Sequence, residues 1–122
     1  MSLGKAVAGQ PAPGTDEKRR WTRYAIDVQV RAVVKSSGQS RTLRGRGSDI
    51  SIGGMALYMA ADLVIGEVIE LEVTLPYATA PFNAHAVVRS RRSYQYGVEY
   101  VNLSPAARAA IQRACASLAL VQ

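Results

Sequence analysis

The stretch Tyr24-Ala25-Ile26-Asp27-Val28-Gln29-Val30-Arg31-Ala32-Val33-Val34-Lys35 decides the fold class. Ile26, Val28, Val30, Ala32 and Val34 fall on one side of an extended chain, and Asp27, Gln29, Arg31 and Lys35 fall largely on the other. A period of two with one polar face predicts a half-buried antiparallel strand, because successive side chains of a strand point to opposite faces.

Working towards the C-terminus, Ser36-Ser37-Gly38-Gln39-Ser40 has the composition of a turn. It returns the chain through Arg41 to Gly47 as a second strand with a basic exposed side. A bend is expected at Asp49 to Gly54, a short strand at Met55 to Met59 and a loop at Ala60 to Gly66. Glu67 to Leu75 sets Ile69, Leu71, Val73 and Leu75 against Glu70, Glu72 and Thr74, predicting a fourth strand closed by Pro76. Phe82 to Arg91 and Tyr94 to Val101 follow as strands around an Arg92-Ser93 corner.

The period then changes. Ser104-Pro105 is a helix start: the Ser hydroxyl can accept a free backbone N–H, and Pro at the first helical position lacks only a donor that has no partner there. Ala107, Ala110, Ile111, Ala114, Cys115, Leu118 and Val121 recur at helical spacing on one face. The expected fold is therefore all-β, a six-stranded antiparallel barrel with a C-terminal helix, in which closure removes exposed sheet edges. Upstream, residues 1–15 are rich in Gly, Ala and Pro without periodicity and read as a flexible lead. Residues 16–122 read as one domain.

The chain has 122 residues, 48% apolar and 20% charged. That suits one compact domain and excludes a long coiled coil, a collagen or a disordered chain. Residues 1–61 hold ten Lys/Arg against four Asp/Glu, whereas residues 62–122 hold five of each. The whole formal excess of +6 thus sits in the first half. Such an imbalance points to an anionic partner or to solubility alone. The lone Cys115 excludes an internal disulfide and suits a reducing compartment; on the apolar stripe of the helix it reads as a buried small hydrophobe. There is no run of about 20 apolar residues to span a membrane and no apolar secretory core near Met1, so a cytoplasmic location is expected.

Catalytic constellations are thin. His85 has no second His or Cys beside it, so no metal set is expected. Neither a Gly-x-Ser-x-Gly elbow nor a Walker A loop occurs, and Gly45-x-Gly47 is too short for a dinucleotide fingerprint. The expectation is no enzyme, no metal and no cofactor.

Two segments carry binding chemistry instead. Lys18-Arg19-Arg20-Trp21-Thr22-Arg23 places guanidiniums where the lead becomes a strand, and these can fork onto phosphate oxygens, reach a guanine O6/N7 edge or stack on a base. In Asp49-Ile50-Ser51-Ile52-Gly53-Gly54, Asp49 and Ser51 are two apart and should offer a carboxylate and a hydroxyl to one ligand edge, with Ile50 and Ile52 turned inward. Gly53 and Gly54 should allow unusual backbone angles and close ligand approach. A carboxylate suits an anionic ligand that carries guanine, because it can accept the guanine N–H donors.

Arg19-x-x-x-Arg23 followed by Asp49-x-Ser51-x-x-Gly54 resembles the two-part signature of PilZ domains, bacterial receptors for cyclic di-GMP. The likeness extends through Leu63-Val64-x-Gly66, Leu75-Pro76, Gly97-Val98-Glu99-Tyr100 and Leu103-Ser104, covering roughly Lys18 to Leu120. It implies a split-type barrel on which the N-terminal arm wraps cyclic di-GMP. In that reading Lys18, Arg19, Arg20, Arg23, Asp49, Ser51, Gly53 and Gly54 line the ligand, with Lys18 bearing on whether one molecule or a stacked pair binds. Arg89 and Arg91 are expected on one face of the fifth strand, where Arg91 or Arg89 could stack on a base. The implied role is regulatory, passing ligand-induced ordering of the arm to a downstream protein partner.

A PilZ-like interaction module without nucleotide binding and a small basic nucleic-acid-binding barrel are the alternatives. The second is weakened by the absence of an aromatic-rich stacking strand. Arg41, Arg44 and Arg46 receive no role from any of these readings.

Overall fold

The computed structural model describes residues 22–76, 78 and 80–119. Lys18, Arg19, Arg20 and the 1–15 lead lie outside the described residues. Six strands, β1 (Tyr24–Ser36), β2 (Gln39–Ile50), β3 (Gly54–Met59), β4 (Val68–Val73), β5 (Phe82–Arg92) and β6 (Gln95–Val101), precede helix α1 (Pro105–Ala119). All pairings are antiparallel. The strands close into a barrel in the order β1-β2-β3-β6-β5-β4. The expected fold class holds.

The alternation in β1 works as its sequence predicts: Val28, Val30, Ala32 and Val34 are buried in the barrel interior. They meet Ile50, Met55, Leu57 and Met59 from β2 and β3, Ile69, Leu71 and Val73 from β4, and Ala86, Val88, Tyr96 and Val98 from β5 and β6. Tyr96 is fully buried, yet its hydroxyl donates to the Ala61 carbonyl at 2.5 Å and accepts from the Leu63 N–H at 3.0 Å. The phenol therefore ties the β3–β4 connection over the barrel without leaving an unpaired polar atom.

The β1–β2 turn is tighter than its composition suggested. Only Ser37 (φ 52°) and Gly38 (φ 75°) lie outside the strands, and two positive φ values identify a type I′ hairpin turn. At its other end β2 continues through Asp49 and Ile50, where a bend was expected. A bulge at Ser48 lets Asp49 resume pairing opposite Ala56. Ile50 is buried, but Ile52 is 40% exposed at the tip of the connection to β3, contrary to the inward position that strict alternation assigned it. The chain turns at Ser51, so the period of two ends there.

Ser104 caps α1, its hydroxyl accepting the Ala107 N–H at 3.1 Å. One turn apart on the helix, Ala107, Ile111 and Cys115 are buried against the barrel core. No described helix is long and apolar enough to cross a membrane.

Candidate functional site

Asp49 stands on the outer face of β2, at the point where the bulges in β1 and β2 meet. Its Oδ1 accepts the Ala56 N–H of β3 at 3.1 Å, which fixes the carboxylate in place. Its Oδ2 lies 3.0 Å from Arg23 Nη2, immediately before β1. Arg23 is 45% exposed and Asp49 25% exposed at the side chain, so the pair is open to an arriving ligand.

The connection after Asp49 is held by Ser51. Its hydroxyl accepts the N–H groups of Gly53 and Gly54, each at 3.1 Å, while the Ser51 N–H donates to the Gly54 carbonyl at 2.9 Å. Ser51 is only 6% exposed. Its oxygen thus shapes the turn and does not share an open edge with Asp49. The Tyr100 N–H of β6 donates to the Gly53 carbonyl at 3.0 Å, fastening the turn to the barrel.

Gly54 is required by packing. A Cβ there would overlap the Val98 backbone carbonyl of β6, and Gly54 does not adopt a positive φ. The expected reason, unusual backbone angles, does not apply at this residue. Close approach of two strands does.

Arg89 and Arg91 were expected on one face, and they are not. A bulge at Arg89, between the pairs Val88–Val98 and Ser90–Gly97, resets the alternation of β5. Arg91 lies opposite the buried Tyr96 and so points to the inner side of the sheet. There it donates to Asp62 Oδ1 at 2.5 Å and to the Ser93 carbonyl at 2.7 Å, and lies over the rings of Tyr94 and Tyr96 at 5.6 and 5.3 Å. The Asp62 hydrogen bond raises its already high pKa. Arg89 instead pairs with Glu99 at 2.8 Å, and Glu99 lies opposite Gly54 on the outer face. The structure therefore gathers Arg23, Asp49, Ser51, Gly53 and Gly54, places Arg89 on their face, and sends Arg91 to the other.

One neighbour of this cluster was not legible. Tyr100 is buried, and its hydroxyl has no hydrogen-bond partner among the described residues. Burial pushes its pKa well above the usual tyrosine value, with Cys115 and Asp49 adding in the same direction. Alternation along β6 turns Tyr100 inward with Tyr96 and Val98, into the core that Ala107, Ile111 and Cys115 of α1 share. Among the described residues no group of three or more His, Cys, Asp or Glu could hold a metal ion.

A closed six-stranded barrel with a C-terminal helix defines the class of protein, and residues 17–117 match the PilZ domain, so the chain belongs to that family. It is similar in structure to the PilZ domain with c-di-GMP of YcgR from Escherichia coli, with a TM-score of 0.65, 22% identity, and coverage of 84% of this chain and 92% of that one. Similarity to YcgR in complex with c-di-GMP from Escherichia coli gives a TM-score of 0.67 and 27% identity over 84% of this chain and 46% of that one. The Bacillus subtilis inhibitor of motility, MotI/DgrA, gives 0.65 and 21% over 85% and 52% respectively. The chain thus spans about half the length of these two larger proteins. No curated protein sequence matches it.

Proposed function

We propose that this domain is a cyclic di-GMP receptor that acts by binding and not by catalysis. The observation that carries the reading is the Arg23–Asp49 pair standing over the Ser51–Gly54 turn on the outside of a PilZ barrel. The solved structures of the YcgR PilZ domain with c-di-GMP and of YcgR in complex with c-di-GMP support the ligand class. In the proposed site Asp49 accepts guanine N–H donors, and Arg23, with Lys18, Arg19 and Arg20 of the preceding arm, holds phosphate and guanine. Ser51, Gly53 and Gly54 keep the turn low beneath the ligand. Glu99-paired Arg89 borders the same face and is the better placed of the two β5 arginines to reach a base.

Mechanistically, an exposed ion pair stabilises a fold by only about 0–1 kcal/mol, so ligand can exchange for or share the Arg23–Asp49 contact at small expense. Charge-assisted contacts from the arm to two phosphates then favour the bound state. The arm and bound ligand together present a new surface to a downstream protein, in a cytoplasmic setting.

Isothermal titration with cyclic di-GMP and cyclic di-AMP tests this. Saturable heat with the guanine ligand and none with the adenine ligand is expected. A folded sample giving no heat at tens of micromolar cyclic di-GMP would overturn the proposal.

A further inference from the structure

The barrel is closed only over part of β2. Its ladder with β3 begins at the Gly45–Met59 pair, whereas its ladder with β1 runs on to Ser36–Gln39. In a hairpin closed by a two-residue turn, the N–H and C=O groups of Gln39, Arg41 and Leu43 face β1, so those of Ser40, Thr42 and Arg44 face the opposite edge. Among the described residues nothing pairs with that edge. It offers about 16 Å of strand to an incoming chain.

The charge on the same segment is uncompensated. No acidic residue occurs from Val28 to Ser48. Arg44 lies directly opposite Arg31 in the β1–β2 ladder, a like-charge cross-strand pair that is unfavourable by itself. Arg31 is relieved by Glu72 at 3.1 Å and Arg46 by Asp27 at 2.7 Å. Arg44, Lys35 and Arg41 have no carboxylate partner among the described residues.

We infer that the free edge of β2 at Ser40, Thr42 and Arg44 is a docking site for an extended acidic segment of a partner protein, which adds as a further strand and sets carboxylates on the outer face against Arg44. Two independent features select this occupant. The row of unpaired peptide groups calls for a polypeptide backbone, which main-chain hydrogen bonds would recognise. The cations repel a second copy of the same edge and attract an acidic one. A nucleic acid could meet the charge but not the ladder of peptide groups. The inference does not depend on cyclic di-GMP binding, since the edge is distinct from the Asp49 turn.

The probe is an end-capped peptide alternating glutamate with threonine, titrated against the full chain by fluorescence anisotropy. Its counterpart, N-methylated at each glutamate, keeps the charge and loses the N–H edge that must face β2 when the carboxylates lie beside Arg44; pairing through its other edge would turn them to the opposite face. The unmodified peptide should bind, and the methylated one should bind about tenfold more weakly or not at all. Thr42→Pro removes an N–H that faces away from β1, a position where an edge strand tolerates proline, and should weaken binding to the same degree with an unchanged circular dichroism spectrum. Arg44→Glu should do likewise. Failure of the unmodified peptide to bind, equal binding of the methylated peptide, or tighter binding of a single-stranded oligonucleotide of equal charge would each overturn the inference. If Thr42→Pro does not fold, the methylated peptide against the unaltered chain decides.

Discussion

The Arg23 guanidinium lies 3.0 Å from the Asp49 carboxylate, joining the segment before β1 to the end of β2 across 26 positions of sequence. The contact exists because the β1–β2 ladder brings Tyr24 opposite Ile50 and Ala25 opposite Asp49. Arg23, one residue before β1, is therefore beside the carboxylate as soon as the hairpin forms. The two halves of the sequence signature meet through strand register.

Removing either partner should separate ligand binding from folding. Arg23→Ala is expected to shift stability by no more than about 1 kcal/mol, as for an exposed ion pair, while cyclic di-GMP affinity falls at least about tenfold. Asp49→Asn keeps an acceptor for the Ala56 N–H and should behave in the same way, whereas Asp49→Ala leaves that N–H unpaired and should lose a further ~1–2 kcal/mol. Urea denaturation alongside titration reads both quantities. Undiminished affinity in Arg23→Ala and Asp49→Asn would place the ligand elsewhere.

Gly54→Ala should destabilise the barrel. Its Cβ meets a backbone carbonyl of β6 that cannot rotate away, so strand separation must change, at about 1–3 kcal/mol. A thermal midpoint equal to that of the unaltered protein would show that the β3–β6 spacing yields easily.

Ser51→Ala should act through the turn. The hydroxyl accepts two N–H groups in a part-buried site, and its loss should cost about 1–3 kcal/mol. Because the turn also carries the ligand face, affinity should fall with it. Hydrogen exchange at Gly53 and Gly54 gives the local reading: protection unchanged by the substitution would rule out Ser51 as the brace.

Arg89→Ala should weaken cyclic di-GMP binding and Arg91→Ala should not, since the β5 bulge puts them on opposite faces. Parallel titrations of the two variants decide it. The reverse order of effects would mean that Arg91 leaves Asp62 and the tyrosine rings when ligand binds.

Alkaline pH should destabilise the domain in two stages. Burial raises the pKa of both Cys115 and Tyr100 in the folded protein. A raised folded pKa means that the native state holds its proton more tightly than the unfolded chain does. Stability is then fully present below the unfolded values, about 8.5 for Cys and 10 for Tyr, and is lost as pH rises past each towards the folded value. Tyr100→Phe should abolish the second stage. It should also be neutral or slightly stabilising at neutral pH, because it removes a buried hydroxyl without a described partner. Denaturation curves from pH 7 to 11 check both, and an unchanged loss above pH 10 in the Phe variant would assign that loss to another group.

Sequence alone determined the strand count, the inward residues of β1 and β4, the capped start of α1 and the residue types of the candidate site. Those features follow from local periodicity and from backbone preferences that a residue carries wherever it sits. Only the tertiary structure decided the reason for Gly54, the opposed faces of Arg89 and Arg91, the exposure of Ile52 and the unpaired stretch of β2 beside Arg44. Each depends on a bulge, a register or a neighbouring strand. A single inserted residue reverses every face beyond it, and whether a strand edge is covered is set by the length of the partner, not by the strand itself.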